Sequence, residues 1–142
     1  MENKVVINMQ SKSINESFAR SAVSSFIAPL DPTLEELADV RTAVSEAVTN
    51  SIIHGYSASE GTITMELSLD SRNLTVIITD SGRGIEDIEK AMQPFFTTGP
   101  EGERSGMGFA VMQAFMDSLQ VFSEPGKGTK VIMAKLFPCS NK

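Results

Sequence analysis

Alternating apolar and polar positions open the chain, and a helical pattern follows them. Val5, Ile7 and Met9 alternate and predict a first β-strand. Ser13 and Glu16 then have the spacing of a capping box, which predicts the start of a helix. The apolar stripe predicted for this helix consists of Phe18, Ala22, Val23, Phe26 and Ile27.

A second and longer helix is predicted at about residues 33–54. Pro29 and Pro32 interrupt the chain before it, and either Asp31-Pro32 or Thr33 with Glu36 can start this helix. Gly55 follows directly and suits a left-handed helix end. The apolar stripe of this helix consists of Leu37, Val40, Val44, Val48 and Ile52.

The second half of the chain contains two predicted hairpins with a helix between them. Alternating runs at 62–70 and 74–80 form the first hairpin. A glycine-punctuated loop, a short helix at about 87–92 and a polar lid at about 93–107 come next. A third long helix is predicted from Gly106, with Met112, Phe115, Met116 and Leu119 at helical spacing. The closing hairpin pairs 120–123 with 129–137 around a turn at 124–128.

The predicted order of elements, β, α, α, β, β, α, β, β, indicates the fold class. It is typical of an α+β protein with one mixed, mostly antiparallel sheet and helices on one face, a two-layer α/β sandwich. A chain of 142 residues with 41% hydrophobic residues can bury one core. We therefore expect residues 1–142 to form a single domain.

Charge and cysteine content narrow the range of partners and compartments. A net charge of -6 and a pI near 4.8 argue against nucleic-acid binding, because phosphate backbones require a basic surface. Cys139 is the single cysteine, which predicts no disulfide framework and agrees with a reducing cytoplasm. No apolar run reaches the ~18 residues that span a bilayer. Protein partners and metal-bound phosphate ligands are expected instead.

The second predicted helix carries a first group of candidate residues. Glu46, Asn50 and His54 recur at i, i+4 and i+8, which places them on one side of the helix. The pattern agrees with an ordinary solvated helix face. It also agrees with chemistry, because the Asn50 side-chain oxygen is a hard ligand for Mg²⁺ and Glu46 could deprotonate a hydroxyl.

A second group of candidates lies at the end of a predicted strand. Asp80 ends an apolar run and is followed by Gly82 and Gly84. Aspartate and glycine are turn residues, so a simple turn is one interpretation. In the other, the carboxylate accepts a hydrogen bond from an exocyclic amine such as that of adenine, and the glycines let the backbone approach a flat ring.

A third group lies where the polar stretch meets the third helix. Gly106 and Gly108 flank Met107 at the helix start, where free N–H groups can bind an anion. A flexible helix entry explains the same residues. A Walker-type phosphate loop and the protein-kinase glycine loop with its partner motifs are both missing from the sequence. Any ATP site here is therefore of another type.

Three motifs together resemble those of the GHKL ATP-binding superfamily, whose fold is the Bergerat type. The N box is matched by SEAVTNSIIHGY, the first glycine box by DSGRGI and the second by RSGMGF. A narrower resemblance, to the anti-sigma-F serine kinases of spore-forming bacteria, is carried by ESFAR, LDPTLEELADVRTAVSEAVTNSIIHGY, PFFTT and ERSGMGF. It extends over essentially the whole chain.

The resemblance implies an activity. Such a protein is a cytoplasmic, dimeric protein serine kinase that binds ATP with Mg²⁺ and releases ADP. It phosphorylates a serine of an anti-anti-sigma factor and sequesters a sigma factor of the sigma-F type, controlling sporulation-specific transcription. By this resemblance Glu46 would be the general base, Asn50 the Mg²⁺ ligand and Asp80 the adenine-specifying carboxylate. Arg20 would face protein partners.

The resemblance also implies which residues surround the nucleotide. Gly82 and Gly84 would line the adenine, with Thr129 nearby. The phosphates would be enclosed by Thr97, Thr98, Arg104, Ser105, Gly106, Met107 and Gly108. The lid carries Gly99 and Gly102 where the family tends to have bulkier or basic residues, which predicts a mobile lid without nucleotide.

Three alternatives stay open at the level of sequence. The first, a histidine-kinase catalytic domain, shares the motifs but needs a separate helical domain with a phosphoacceptor histidine. His54 is the single histidine here, and it lies on the candidate ATP-site helix. The second is a module that binds a sigma factor under ATP control without kinase activity. The third is a related switch kinase for another sigma factor.

Overall fold

A computed structural model describes residues 2–56, 60–85 and 108–138. Its first half contains β1 (Glu2–Gln10), α1 (Ile14–Ile27), a 3-10 turn (Ala28–Leu30), α2 (Leu34–Asn50) and a π-helical turn (Ser51–Gly55). Its second half contains β2 (Thr62–Asp70), β3 (Asn73–Asp80), α3 (Gly108–Phe115), β4 (Ser118–Glu124) and β5 (Gly128–Leu136). The predicted short helix at 87–92 and the lid at 93–107 lie outside the described residues.

The five described strands form one sheet in the order β1-β2-β3-β5-β4. All four pairings are antiparallel, so over the described residues the sheet lacks the parallel pair that a mixed sheet would contain. Both predicted hairpins are confirmed, and the first turns tightly at Ser71, whose φ is 58°. The predicted α+β class is confirmed. Because β3 is the central strand, its last residue, Asp80, lies at one end of the sheet, midway between the two edge strands.

The core lies between the inner face of the sheet and the helices. Apolar side chains at alternate positions of β2 and β3 are at most 3% exposed, whereas their neighbours on the outer face are partly exposed. These inner residues are Ile63, Met65, Leu67, Leu69, Leu74, Val76 and Ile78. Val23 of α1 and Val44 of α2 join the same cluster, which confirms the predicted two-layer arrangement. No helix in the described part of the chain could span a membrane.

The start of α1 differs from the prediction. The Ser13 side chain makes no capping hydrogen bond, and the Glu16 N–H donates to the Ser13 backbone carbonyl at 3.1 Å. The Glu16 carboxylate instead contacts Arg20 and Ser45, so tertiary contacts replace the predicted capping box. Phe18 was predicted to lie on the apolar stripe but is 52% exposed. Its neighbour Ala19 is buried in the core instead.

The two ends of α2 give one confirmation and one correction. The Thr33 hydroxyl accepts from the Glu36 N–H at 3.0 Å, and the Glu36 carboxylate accepts from the Thr33 N–H at 2.9 Å, so the second of the two predicted starts is confirmed. Gly55 does not adopt the left-handed conformation. The chain instead widens into a π-helical turn, in which the Tyr56 N–H donates to the Ser51 carbonyl at 3.0 Å.

The third helix is shorter than predicted. It ends at Phe115, and Leu119 belongs to β4. The chain leaves the helix because the Asp117 N–H donates to the Ala134 carbonyl at 2.9 Å, and the Asp117 carboxylate accepts from the Leu136 N–H at 2.6 Å. Both bonds attach this segment to β5.

Candidate functional site

Asp80 is the last residue of the central strand, and its carboxylate is fixed from two sides. The residue is 5% exposed. The Ser51 hydroxyl donates to Oδ2 at 2.7 Å, and the Gly82 N–H donates to Oδ1 at 2.9 Å. Charge-assisted hydrogen bonds of this kind are stronger than neutral ones, so the carboxylate has a defined orientation at the end of the central strand.

Gly55 and Gly82 allow the end of the helical segment to lie directly against Asp80. A Cβ atom on Gly55 would lie 3.0 Å from Asp80 Oδ1, and one on Gly82 would overlap the Gly55 carbonyl. The same carbonyl accepts the Arg83 N–H at 2.8 Å. Gly82 is therefore required for a backbone contact within the protein, besides any approach to a flat ring. We call Ser51, Gly55, Asp80 and Gly82 the Asp80 corner.

The β4–β5 turn packs against the loop that follows Asp80. Gly84 has a φ of 78°, and a Cβ atom on it would overlap the Glu124 carbonyl. The Gly126 N–H donates to the Arg83 carbonyl at 2.6 Å. Thr129 lies opposite Asp80 in the β3–β5 register. The predicted adenine-lining residues therefore meet at one end of the sheet.

Thr129 is held within a small hydroxyl network. Its Oγ1 lies 2.8 Å from Ser123 Oγ, and that hydroxyl also accepts the Ile85 N–H at 2.8 Å. Thr129 is partly exposed, whereas Asp80 beside it is buried. The network therefore joins the loop, β4 and β5 next to the Asp80 corner.

Asn50 brings the first helical motif into contact with the second glycine motif. It is the last residue of α2, directly before Ser51. A Cβ atom on Gly108 would lie 2.6 Å from Asn50 Nδ2 and 3.0 Å from Oδ1, so glycine permits α3 to begin against the amide. The three predicted motifs therefore converge at the C-terminal end of α2.

Glu46 and His54 occupy different positions along this segment. Glu46 is partly exposed and lies one turn before Asn50, so the two side chains share a helix face. His54 lies in the π-helical turn, where its backbone carbonyl accepts from Arg83 Nε at 2.8 Å. Its backbone thus helps to hold the glycine loop.

Tyr56 was not predicted as a site residue, although it bridges the site. Its hydroxyl donates to the Thr62 carbonyl at 2.7 Å and accepts the Ser81 N–H at 2.8 Å. Ser51 was likewise missed. The available signal was position: Ser51 follows Asn50, and Tyr56 ends the N-box sequence.

Several predicted residues cannot be placed, and one lies elsewhere. The predicted phosphate-enclosing residues outside the described part are Thr97, Thr98, Arg104, Ser105, Gly106 and Met107. Arg20 lies on α1, where its Nε is 3.0 Å from Glu16 Oε2. It shares a pocket with Ser45, the residue before Glu46. Arg20, the residue predicted to face protein partners, and the nucleotide motifs are therefore both connected to α2.

Comparison with known proteins identifies the family. A family profile described as a histidine kinase-like ATPase domain matches residues 11–135. The anti-sigma F factor of Clostridium kluyveri is 60% identical over 136 residues, covering 96% of each chain. That of Thermoanaerobacter sp. (strain X514) is 60% identical over 133 residues, covering 94% of this chain and 93% of the relative. The chain belongs to the anti-sigma F factor family.

Solved structures show the same fold as this anti-sigma F factor family member. The RsbU and RsbW domains of a Mycobacterium tuberculosis protein match with a TM-score of 0.69 at 19% identity, covering 95% of this chain and 32% of that one. A histidine kinase domain from Erythrobacter litoralis matches with a TM-score of 0.55 at 23% identity, covering 86% and 60%. The ATPase domain implies that the protein binds ATP.

The donor set of this anti-sigma F factor family member fits Mg²⁺ bound largely through phosphate. Magnesium prefers oxygen ligands and commonly keeps water and substrate phosphates around one or two protein groups. The Asn50 amide oxygen is one such group, at the contact with Gly108. Within the described ranges, no three His, Cys, Asp or Glu residues could form a metal cage.

Proposed function

We propose that this protein is an ATP-dependent serine kinase that also sequesters a sigma factor of the sigma-F type. Its kinase substrate is a serine of an anti-anti-sigma factor, which phosphorylation inactivates. The observation that carries the proposal is the convergence of Asn50, Asp80 and Gly108 at the end of α2. Each belongs to a different motif, and together they supply a metal ligand, an adenine reader and a phosphate-binding helix start.

The Asp80 corner reads the adenine. With Oδ1 and Oδ2 each accepting one protein hydrogen bond, the carboxylate keeps further lone pairs for the exocyclic amine of the base. Gly82 and Gly84 line the base, and Thr129 lies beside it. The fixed carboxylate orientation favours adenine over a base that presents an acceptor at the same position.

The phosphates extend from this corner towards the start of α3. The residues proposed to enclose them are Thr97, Thr98, Arg104, Ser105, Gly106, Met107 and Gly108. Asn50 holds Mg²⁺, which neutralises phosphate charge when bound. We place residues 1–142 in one domain, with the lid at about 93–107 covering the nucleotide.

Glu46 is the proposed general base. It takes the proton of the attacking serine hydroxyl while the serine oxygen bonds to the γ-phosphorus. The bond from this phosphorus to the bridging oxygen breaks, and ADP leaves with that electron pair. Because transfer depends mainly on positioning and charge stabilisation, a carboxylate one helical turn before Asn50 is suitably placed.

The protein-facing surface is proposed to lie on α1 at Arg20. Curated relatives at 60% identity carry the name anti-sigma F factor, which supports a sigma factor as one partner. The same surface would serve the anti-anti-sigma factor, so the two partners compete for it. We propose that the protein works as a cytoplasmic homodimer that controls sporulation-specific transcription.

Phosphate transfer tests the kinase directly. Purified protein is mixed with labelled Mg-ATP and an anti-anti-sigma protein, and phosphoserine is measured on the partner. Glu46→Gln should lower transfer by about 100-fold or more, in the range of general-base contributions, with ATP affinity nearly unchanged. Glu35→Gln is the matched control, because it removes an exposed carboxylate from the same helix.

The outcomes of this assay separate a kinase from a binding module. Phosphoserine that appears with wild type and disappears with Glu46→Gln supports the kinase and its base. ATP binding without any transfer would favour a module that binds a sigma factor under ATP control. Transfer retained by Glu46→Gln would remove Glu46 from the mechanism but leave the kinase in place.

A further inference from the structure

A pocket of about 220 Å³ lies between α1 and α2. We call it the two-arginine pocket, and its lining consists of Arg20, Ala38, Arg41, Thr42 and Ser45. Two guanidinium groups in one small pocket are notable on a chain whose net charge is -6. Arginine presents a planar set of donors that matches a carboxylate, so the pocket is suited to an acidic group.

Arg20 already contacts an acidic side chain, but the contact is incomplete. Its Nε lies 3.0 Å from Glu16 Oε2, an ion-pair distance. The same buried Nε has no hydrogen-bond partner within the described part of the chain, so the alignment is poor. Glu16 Oε2 also accepts the Ser45 hydroxyl, which divides the carboxylate between two elements. Glu16 thus leaves Arg20 with unused donor capacity.

Arg41 supplies a second cation in a defined position. Its Nη1 donates to Ser24 Oγ at 3.0 Å, and the Ser24 hydroxyl donates to the Arg20 backbone carbonyl at 2.8 Å. An arginine carries five N–H donors, so this contact leaves most of them available for a ligand. These two hydrogen bonds connect the Arg41 side chain, through Ser24, to the α1 backbone at Arg20. They therefore hold the Arg41 guanidinium close to α1.

The existing ion pair is exposed enough to be displaced. The Arg20 and Glu16 side chains are 37% and 24% exposed, and partly exposed pairs of this kind contribute little to stability. An external carboxylate with better alignment could therefore replace Glu16 at Arg20. The Ser45 hydroxyl would still have Glu16 as its acceptor after the exchange.

We propose that Glu16 competes with the sigma factor for Arg20, and that Arg41 is the second residue that recognises an acidic side chain of that factor. This inference rests on the proposed function, in which Arg20 faces protein partners. It adds Glu16 and Arg41 to the partner surface and predicts the sign of each effect on affinity. Removing the Glu16 charge strengthens partner binding, whereas removing the Arg41 charge weakens it.

Partner affinity of the full chain tests the proposal. The dissociation constant for a sigma-F-type factor is measured with saturating Mg-ATP, using wild type, Glu16→Gln, Arg41→Gln and Arg20→Ala. We expect about two- to fivefold tighter binding for Glu16→Gln, in the range of an exposed ion pair. Arg41→Gln should weaken binding by at least about fivefold, as for loss of a charged interface contact.

Two controls separate local competition from general electrostatics. Glu35→Gln removes the same charge from the exposed first turn of α2 and should leave affinity within about twofold, because salt screens exposed charges. In an Arg20→Ala background, Glu16→Gln should not change partner affinity, because the guanidinium for which Glu16 and the partner compete is gone. Circular dichroism and ATP affinity check that each variant is folded.

The outcomes distinguish this proposal from the proposed function. If Arg20→Ala weakens binding and Glu16→Gln leaves it unchanged or weaker, the competition is overturned while the partner surface stands. If Arg20→Ala has no effect, the partner surface itself is wrong and this proposal fails with it. A Glu16→Gln gain that persists without Arg20 would likewise overturn the competition. Should Glu16→Gln not fold, Glu16→Ala provides the same charge removal.

Discussion

The Asp80 corner and the two-arginine pocket both involve α2, and they are held together in opposite ways. Asp80 is 5% exposed, and both of its carboxylate oxygens accept hydrogen bonds from within the chain. In the two-arginine pocket the Arg20 and Glu16 side chains are 37% and 24% exposed, and Arg20 Nε is not hydrogen-bonded within the described part. One region is closely packed, and the other is polar and open.

Such a difference would allow one helix to serve two kinds of ligand, the nucleotide and the proposed protein partner. A base-reading carboxylate must keep its orientation, because a misdirected acceptor loses discrimination. A surface that exchanges protein partners must release its contacts, and weak, partly exposed ion pairs permit this. Substitutions in the Asp80 corner should therefore have large effects, whereas those in the two-arginine pocket should have small effects on stability.

The largest effect is expected for Gly82→Ala. The added Cβ would overlap the Gly55 carbonyl, which is backbone and cannot move aside as a flexible side chain can. We expect a loss of at least about 3 kcal/mol in the free energy of unfolding, at the upper end for overpacking. ATP affinity should also fall. Urea unfolding and nucleotide titration measure the two effects.

Gly126→Ala is the matched control for this substitution. Gly126 has a φ of 81°, but a Cβ atom there would have no neighbour within 4 Å. It should cost only the strain of a left-handed alanine, about 1–2 kcal/mol. A loss for Gly82→Ala no larger than that for Gly126→Ala would contradict the large cost expected from the overlap with the Gly55 carbonyl.

An intermediate effect is expected for Ser51→Ala. The substitution removes the hydroxyl that donates to Asp80 Oδ2 at 2.7 Å and leaves that oxygen without its buried partner. A hydrogen bond to a charged group contributes about 1.5–3 kcal/mol, so we expect ATP binding to weaken by at least about tenfold. Isothermal titration with ATP measures the change.

Ser24→Ala is the control for the loss of a serine hydroxyl. Ser24 also makes two side-chain hydrogen bonds, but they connect Arg20 of α1 with Arg41 of α2 and do not involve Asp80. Its ATP affinity should match that of wild type. If Ser51→Ala also bound ATP like wild type, the orientation of Asp80 would not depend on Ser51.

The sequence predicted two of the four members of the Asp80 corner, Asp80 and Gly82, but not the contacts that hold them. Asp80 and Gly82 stood out because strand ends and glycines leave local patterns. The approach of Gly82 to Gly55 did not, because residues 27 positions apart meet only in the folded chain. The prediction that Gly55 ends the helix in a left-handed conformation is wrong, because a π-helical turn continues the helix through Gly55. Local propensity cannot reveal such a turn.

The two-arginine pocket shows a different limit of sequence reasoning. The spacing of Glu16 to Ser13 predicts a capping box, yet the Glu16 carboxylate contacts Ser45 and Arg20. A carboxylate can satisfy only some of its donors, and the tertiary contacts prevailed over the local one. At Thr33 and Glu36 the same spacing gave a real capping box, in which the Glu36 carboxylate accepts from the Thr33 N–H.

The smallest effect is expected for Glu16→Gln on stability. Glutamine keeps an oxygen that can accept the Ser45 hydroxyl, and only the partly exposed ion pair with Arg20 is lost. The free energy of unfolding should change by less than about 1 kcal/mol, the usual range for such pairs. Urea unfolding at two salt concentrations measures it, and the difference should shrink at high salt.

This small effect decides what the two-arginine pocket is for. A loss of more than about 2 kcal/mol would mean that Glu16 clamps α1 to α2, as a buried pair would. A partner could not then displace Glu16 from Arg20 without a large cost in free energy. A change near zero, together with tighter partner binding, would mean that the Glu16 charge is held where it contributes little to folding and opposes association. The pocket would then be a surface kept weak in the free protein, in contrast to the Asp80 corner, whose contacts are fixed before any ligand arrives.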